Sequence, residues 1–121
     1  MQPDIEIYLK DADQQAVHAW LASVFSHCSN WRKAGKLLRC DCDGIEVTWY
    51  HKAVGSWHSL FFASANTPWA NDLECAQAAF AALKVQIRCA PSSWQEADGE
   101  ADADRWLKVS ELGTQEFMWR S

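Results

Sequence analysis

Ile5, Ile7 and Leu9 are apolar positions separated by Glu6, Tyr8 and Lys10. That period of two predicts a strand with one buried face. The period then changes. Val17, Trp20, Leu21 and Val24 recur at i, i+3, i+4 and i+7, which predicts a helix running to about Phe25 with Asp11 or Asp13 as its N-cap. His27 to Gly35 is polar and irregular and holds Trp31.

From Leu37 to Tyr50 two alternating runs flank Asp43-Gly44. Asp-Gly suits a type I′ hairpin, whose two central residues both need positive φ. With Asp43-Gly44 as the loop, Cys42 faces Ile45, Cys40 faces Val47 and Leu38 faces Trp49, all on the core side. Arg39, Asp41, Glu46, Thr48 and Tyr50 then share the other side, with Asp41 opposite Glu46 as an unfavourable like-charge pair.

A turn at Val54-Gly55-Ser56 leads into a strand over Trp57–Ser64, apolar on both faces and therefore expected to be covered on both sides. After Thr67-Pro68-Trp69, Asn71 with Glu74 three residues on resembles a capping box. Leu73, Ala76, Ala79, Phe80 and Leu83 form the stripe of a second helix, and Val85, Ile87 and Cys89 alternate as a strand. Pro91 to Asp104 reads as an acidic loop. Trp106–Ser110 and Glu116–Trp119 read as a closing hairpin around Gly113. The order β-α-β-β-β-α-β-β-β predicts an α+β domain spanning residues 1–121, a largely antiparallel sheet with two helices packed on one face.

Composition narrows the class. A net charge of −5 repels phosphate backbones and anionic lipid, so a protein partner, basic in charge, or self-association into a homodimer is expected before nucleic acid or membrane. Trp31-Arg32-Lys33 with Lys36 and Arg39 is the single basic cluster, and it reads as a surface loop. The first six residues lack the basic and apolar regions of a secretory leader. Five cysteines without zinc-ribbon spacing then point to reduced thiols in a cytoplasmic protein.

Candidate chemistry is sparse. Cys40, Cys42, His51 and His58 are ligand types suited to zinc, yet the hairpin register turns both cysteines into the core. Asp41, Asp43 and Glu46, and the run Asp98 to Asp104, lack the spacing of a calcium loop and read as solvated charge. His27-Cys28 has the elements of an activated thiol, but Cys28 continues the first helix's stripe and reads as core. No Gly-rich phosphate loop or hydrolase motif occurs, and no cofactor is expected.

Eight tryptophans exceed what a core of this size readily hides. Trp31, Trp69 and Trp94 fall in predicted loops and are the candidate binding surface, because Trp is enriched among binding hot spots. The leading reading is a small non-catalytic binding or interaction module anchored by these residues, for example an immunity or inhibitor type of protein against a basic target.

The strand and helix order also resembles the βαβββ modules of the vicinal-oxygen-chelate (glyoxalase and bleomycin-resistance) family. That family takes metal ligands from the first strand of each module and from the final strand. The resemblance implies a metal-dependent enzyme with Glu6, His58 and Glu116 as ligands. The chain departs from the pattern where Trp57–Ser64 stands in for two strands.

Overall fold

The computed structural model describes residues 5–63, 67–69, 71–89 and 105–118. Trp94, Trp119 and the acidic run from Glu96 to Asp104 lie outside them. The elements are β1 (Ile5–Lys10), α1 (Gln14–Val24), β2 (Arg32–Ala34), β3 (Leu37–Cys42), β4 (Ile45–Val54), β5 (Trp57–Phe62), α2 (Asp72–Leu83), β6 (Ile87–Cys89), β7 (Arg105–Ser110) and β8 (Gly113–Met118). They build one eight-stranded sheet in the order β2-β3-β4-β5-β1-β6-β7-β8. Every pairing is antiparallel. The class is α+β.

Against the predicted order there is one additional strand, β2. Its three residues, Arg32, Lys33 and Ala34, pair with Arg39, Leu38 and Leu37 at the sheet edge. A segment so short and polar carries no alternation to detect; it is held by the ladder that β3 offers. The last strand also begins earlier than the apolar pattern indicates, at Gly113, whose φ of 97° suits the residue leaving the Glu111–Leu112 turn.

The β3–β4 hairpin has the register that Asp43-Gly44 dictates: Cys42 faces Ile45, Cys40 faces Val47 and Leu38 faces Trp49. Asp43 and Gly44 adopt φ of 53° and 86°, the left-handed pair that a type I′ turn needs. Asp13, not Asp11, caps α1 by accepting from the Ala16 amide at 3.2 Å. Asn71 caps α2 by accepting from the Glu74 amide at 2.9 Å.

Cross-strand partners share a face, so the registers sort the sheet into two sides. One side carries Ile5, Ile7, Leu9, Cys40, Cys42, Val47, Trp49, Leu60, Phe62, Ile87 and Cys89. These residues form a single core with Val17, Trp20 and Leu21 of α1 and with Cys75, Ala76 and Ala79 of α2. The two helices also touch each other. Both therefore pack on one face, and no described helix covers the opposite one.

Candidate functional site on the helix-free face of the sheet

The helix-free face is laid out by the same registers. In one row, Arg32 lies beside Arg39, then Thr48, Phe61 and Glu6. The next row runs Tyr50, Ser59, Tyr8, Arg88, Lys108 and Gln115. Trp57 stands beside Lys10, and Trp106 beside Phe117. Residues from all eight strands, far apart in sequence, thus share one surface.

Its centre is an aromatic layer built around Arg88. The guanidinium carbon lies 4.1 Å from the Trp57 ring centroid and 4.6 Å from that of Phe117. The two rings come from strands on either side of β6, each two strands away. Desolvation by these rings lowers the Arg88 pKa, while the ring faces favour its positive charge. Tyr8 and Trp106 add an edge-to-face pair at 5.7 Å. Burial, and then the neighbouring Glu6 carboxylate, raise the Tyr8 phenol pKa. The Ser59 hydroxyl donates to Glu6 Oε2 at 2.7 Å, which fixes that carboxylate within the layer.

Toward β3 and β4 the face opens. Tyr50 is 45 % exposed, a large value for an aromatic side chain on a strand. Between β2 and β3, Arg32 pairs with Asp41 at 3.1 Å. Arg39 forms no ion pair among the described residues, and its Nε is buried without an acceptor there. Such a guanidinium can gain from a carboxylate supplied from outside. The registers put Lys10, Arg32, Arg39, Arg88 and Lys108 on this side against Glu6, Asp41 and Glu46. The face is locally basic on a chain whose net charge is −5.

Of the tryptophans expected at a binding surface, the two that are described, Trp31 and Trp69, lie on the helical side. Trp69 is a core residue, 8 % exposed. It stacks on Trp20 at 5.5 Å and meets Phe25 and Phe62 edge-on at 6.0 and 5.2 Å. The Thr67-Pro68-Trp69 connection folds back over the core instead of presenting its ring to solvent. Trp31 is half-buried on the helical side, its indole N–H donating to the Gln14 carbonyl at 3.2 Å. With Gln15, His18 and Asn30 it lines a depression of about 250 Å³. Trp94 lies outside the described residues.

The structure does not bring the three ligands implied by the family resemblance together. Glu6 points to the helix-free side, whereas His58 and Glu116 share the other side. β5 and β8 are four strand spacings apart, roughly 19 Å. His58 is buried instead in a ring stack, 4.9 Å from Trp49 and 4.4 Å from His51. Its Nδ1 accepts from the Lys52 amide at 2.8 Å, which places the proton of the neutral ring on Nε2. Among the described residues, no three or more His, Cys, Asp or Glu side chains are grouped so as to hold a metal ion.

Asp43 has a structural task. Its carboxylate accepts from the Ser26 and His27 amides at 2.9 and 2.8 Å and so ties the α1–β2 connection to the hairpin. Those two bonds lower its pKa. Cys40 and Cys42 are fully buried beside Ile45 and Val47, as the register requires. No described helix is long and apolar enough to cross a membrane. No family model matches the chain, and no curated protein or solved structure is significantly similar to it.

Proposed function

We propose that the chain is a small non-catalytic interaction module, and that it recognises a partner protein through the helix-free face of its sheet. The observation that carries this reading is the Arg39 guanidinium, without an ion pair among the described residues, on the same open face as exposed Tyr50. Tyr, Trp and Arg are the residue types that dominate binding hot spots, and aromatic rings with few rotatable bonds lose little entropy on docking.

The chemistry of this face suits an acidic partner surface, with a carboxylate for Arg39 and an apolar group against Tyr50. The net charge of the chain argues for a basic partner, but only at long range. Salt screens exposed charges beyond about 8 Å, so at contact the local cations decide. The immunity-like reading then keeps its form, a stoichiometric protein partner, while the partner's contact surface changes sign.

The test compares the wild-type protein with Arg39→Glu and Tyr50→Ala in the cells that produce it. Circular dichroism first establishes that each variant is folded. The reading expects a stoichiometric protein complex that weakens at least tenfold in Arg39→Glu and loosens as salt is raised. A complex that both variants retain at wild-type affinity would place recognition elsewhere on the molecule.

A further inference from the structure

The segment leaving α1 touches the end of β3 through an isolated antiparallel bridge between Cys28 and Cys42. The Ser29 amide donates to the Asp41 carbonyl, and the Asp43 amide donates to the His27 carbonyl, both at 2.9 Å. These two bonds flank the cysteines, which makes Cys28 and Cys42 the narrow, non-hydrogen-bonded pair of the bridge. Cα atoms of such pairs lie about 4.5 Å apart in a regular ladder, within the roughly 4.4–6.8 Å that disulfides span. The thiols already touch, Cys28 Sγ donating to Cys42 Sγ at 2.8 Å. Cys42 is fully buried and Cys28 only partly, so a reagent from solvent reaches the pair at Cys28.

We propose that Cys28 and Cys42 are a reversible dithiol that closes to a disulfide by exchange with a low-molecular-weight disulfide such as oxidised glutathione. The Cys28 thiolate attacks one reagent sulfur; the reagent's S–S bond breaks and one glutathione thiolate leaves. Cys42, deprotonated, then attacks Cys28 Sγ in the mixed disulfide and expels the second. Overall the two cysteines lose two protons and two electrons, and the reagent gains them to become two thiols. Because the attacking species is the thiolate, and burial together with the Cys42 contact pushes the Cys28 thiol up to about 12, closure accelerates as pH rises.

Cys40 Sγ lies 3.9 Å from Cys42 Sγ, but on the same strand and two residues away, with no cross-strand pairing to Cys28. It is the built-in control. The bond would fasten the segment leaving α1 to the β3–β4 hairpin that carries Arg39 and Tyr50 on its other side. Its formation would therefore stiffen the support of the proposed recognition face without altering any residue on it.

The experiment treats native protein with oxidised glutathione in mildly alkaline buffer, blocks remaining thiols with N-ethylmaleimide, and digests with trypsin without reduction. Cleavage after Arg32 and Arg39 separates the peptide holding Cys28 from the one holding Cys40 and Cys42. The expected product is these two peptides joined with the loss of two hydrogens. The linkage should persist in Cys40→Ser, vanish in Cys42→Ser and open with dithiothreitol. The oxidised form should melt on the order of 10 °C above the reduced form. Fragmentation of the wild-type linked peptide locates the bond even if Cys42→Ser does not fold. A persistent glutathione adduct on Cys28 without linkage, or a bond located at Cys40, would overturn the proposal.

Discussion

Replacing Trp69 with alanine separates a core residue from a binding anchor. The ring is 8 % exposed and packs against Trp20, Phe25 and Phe62 at centroid distances of 5.5, 6.0 and 5.2 Å. Truncation deletes buried aromatic area and leaves a cavity that α1 and the end of β5 cannot collapse into without moving. Substitutions of this kind cost about 3–5 kcal/mol. The unfolding entropy near the midpoint is about 2.1 cal/mol/K per residue, so for this chain length each kelvin of Tm corresponds to about 0.25 kcal/mol. Trp69→Ala should therefore lower Tm by about 12–20 °C in a calorimetric or circular-dichroism melt. The half-buried Trp31, with one long hydrogen bond to Gln14, should cost about 1–2 kcal/mol under the same substitution. A Trp69→Ala protein that melts within about 3 °C of wild type would refute the reasoning, because no buried, three-ring contact can be lost so cheaply.

The ring stack around His58 predicts a pH dependence. Burial, and then the His51 ring stacked on it, lower the His58 pKa, so its contribution to stability is complete above the unfolded imidazole value of about 6.5 and is lost as pH falls below it. Tm should drop on acidification through that range, and His58→Phe, which keeps a ring against Trp49, should melt with a shallower slope; equal slopes would contradict this. The contribution of Asp43 is lost in the same pH direction, although here the folded state favours the charged form. Its pKa is lowered, so its support is present above the unfolded carboxylate range and is lost as pH falls through the lowered value. In Asp43→Ala, exchange of the Ser26 and His27 amides with solvent deuterium should accelerate several-fold at neutral pH, and unchanged protection would mean that the carboxylate does not hold that segment. Gly44→Ala should lower Tm by about 4 °C, from roughly 1 kcal/mol of backbone cost at its φ of 86°, since nothing within 4 Å would obstruct the added carbon.

The parts of the fold visible in the sequence are those set by local chemistry. Asp43-Gly44 admits one turn type, and that turn fixes which of Cys40, Cys42, Ile45, Val47 and Trp49 face inward. Asp13 and Asn71 mark helix starts because their side chains are short acceptors one turn ahead of free amides. Trp57 and Phe62 read as two covered faces, and the structure buries Trp57 under Arg88 on one side and Phe62 in the core on the other.

What was not visible depends on sheet order. β1 lies between β5 and β6, so Trp57, Arg88 and Phe117 meet although 60 positions of chain separate the outer two, and no periodicity encodes that neighbourhood. Trp69 was legible as a loop residue but not as a buried one, because a loop's path over the core is decided by the rings it meets. The Asp43 bonds to Ser26 and His27 join segments whose pairing the local pattern does not specify. Among the described tryptophans, Trp20, Trp31, Trp49 and Trp69 belong to the helix-covered side, and Trp57 and Trp106 to the layer around Arg88 on the opposite face.

The most direct test of recognition through that face is site-specific photo-crosslinking. A benzoyl-phenylalanine placed at Tyr50 reports on the helix-free side, and one at exposed Ala82 of α2 reports on the helical side. Both proteins are illuminated in the producing cells, and adducts are identified by mass. The account predicts one discrete protein adduct from position 50 that is lost with Arg39→Glu, and little from position 82. Adducts that form only at position 82, or equally at both positions and regardless of Arg39, would contradict it.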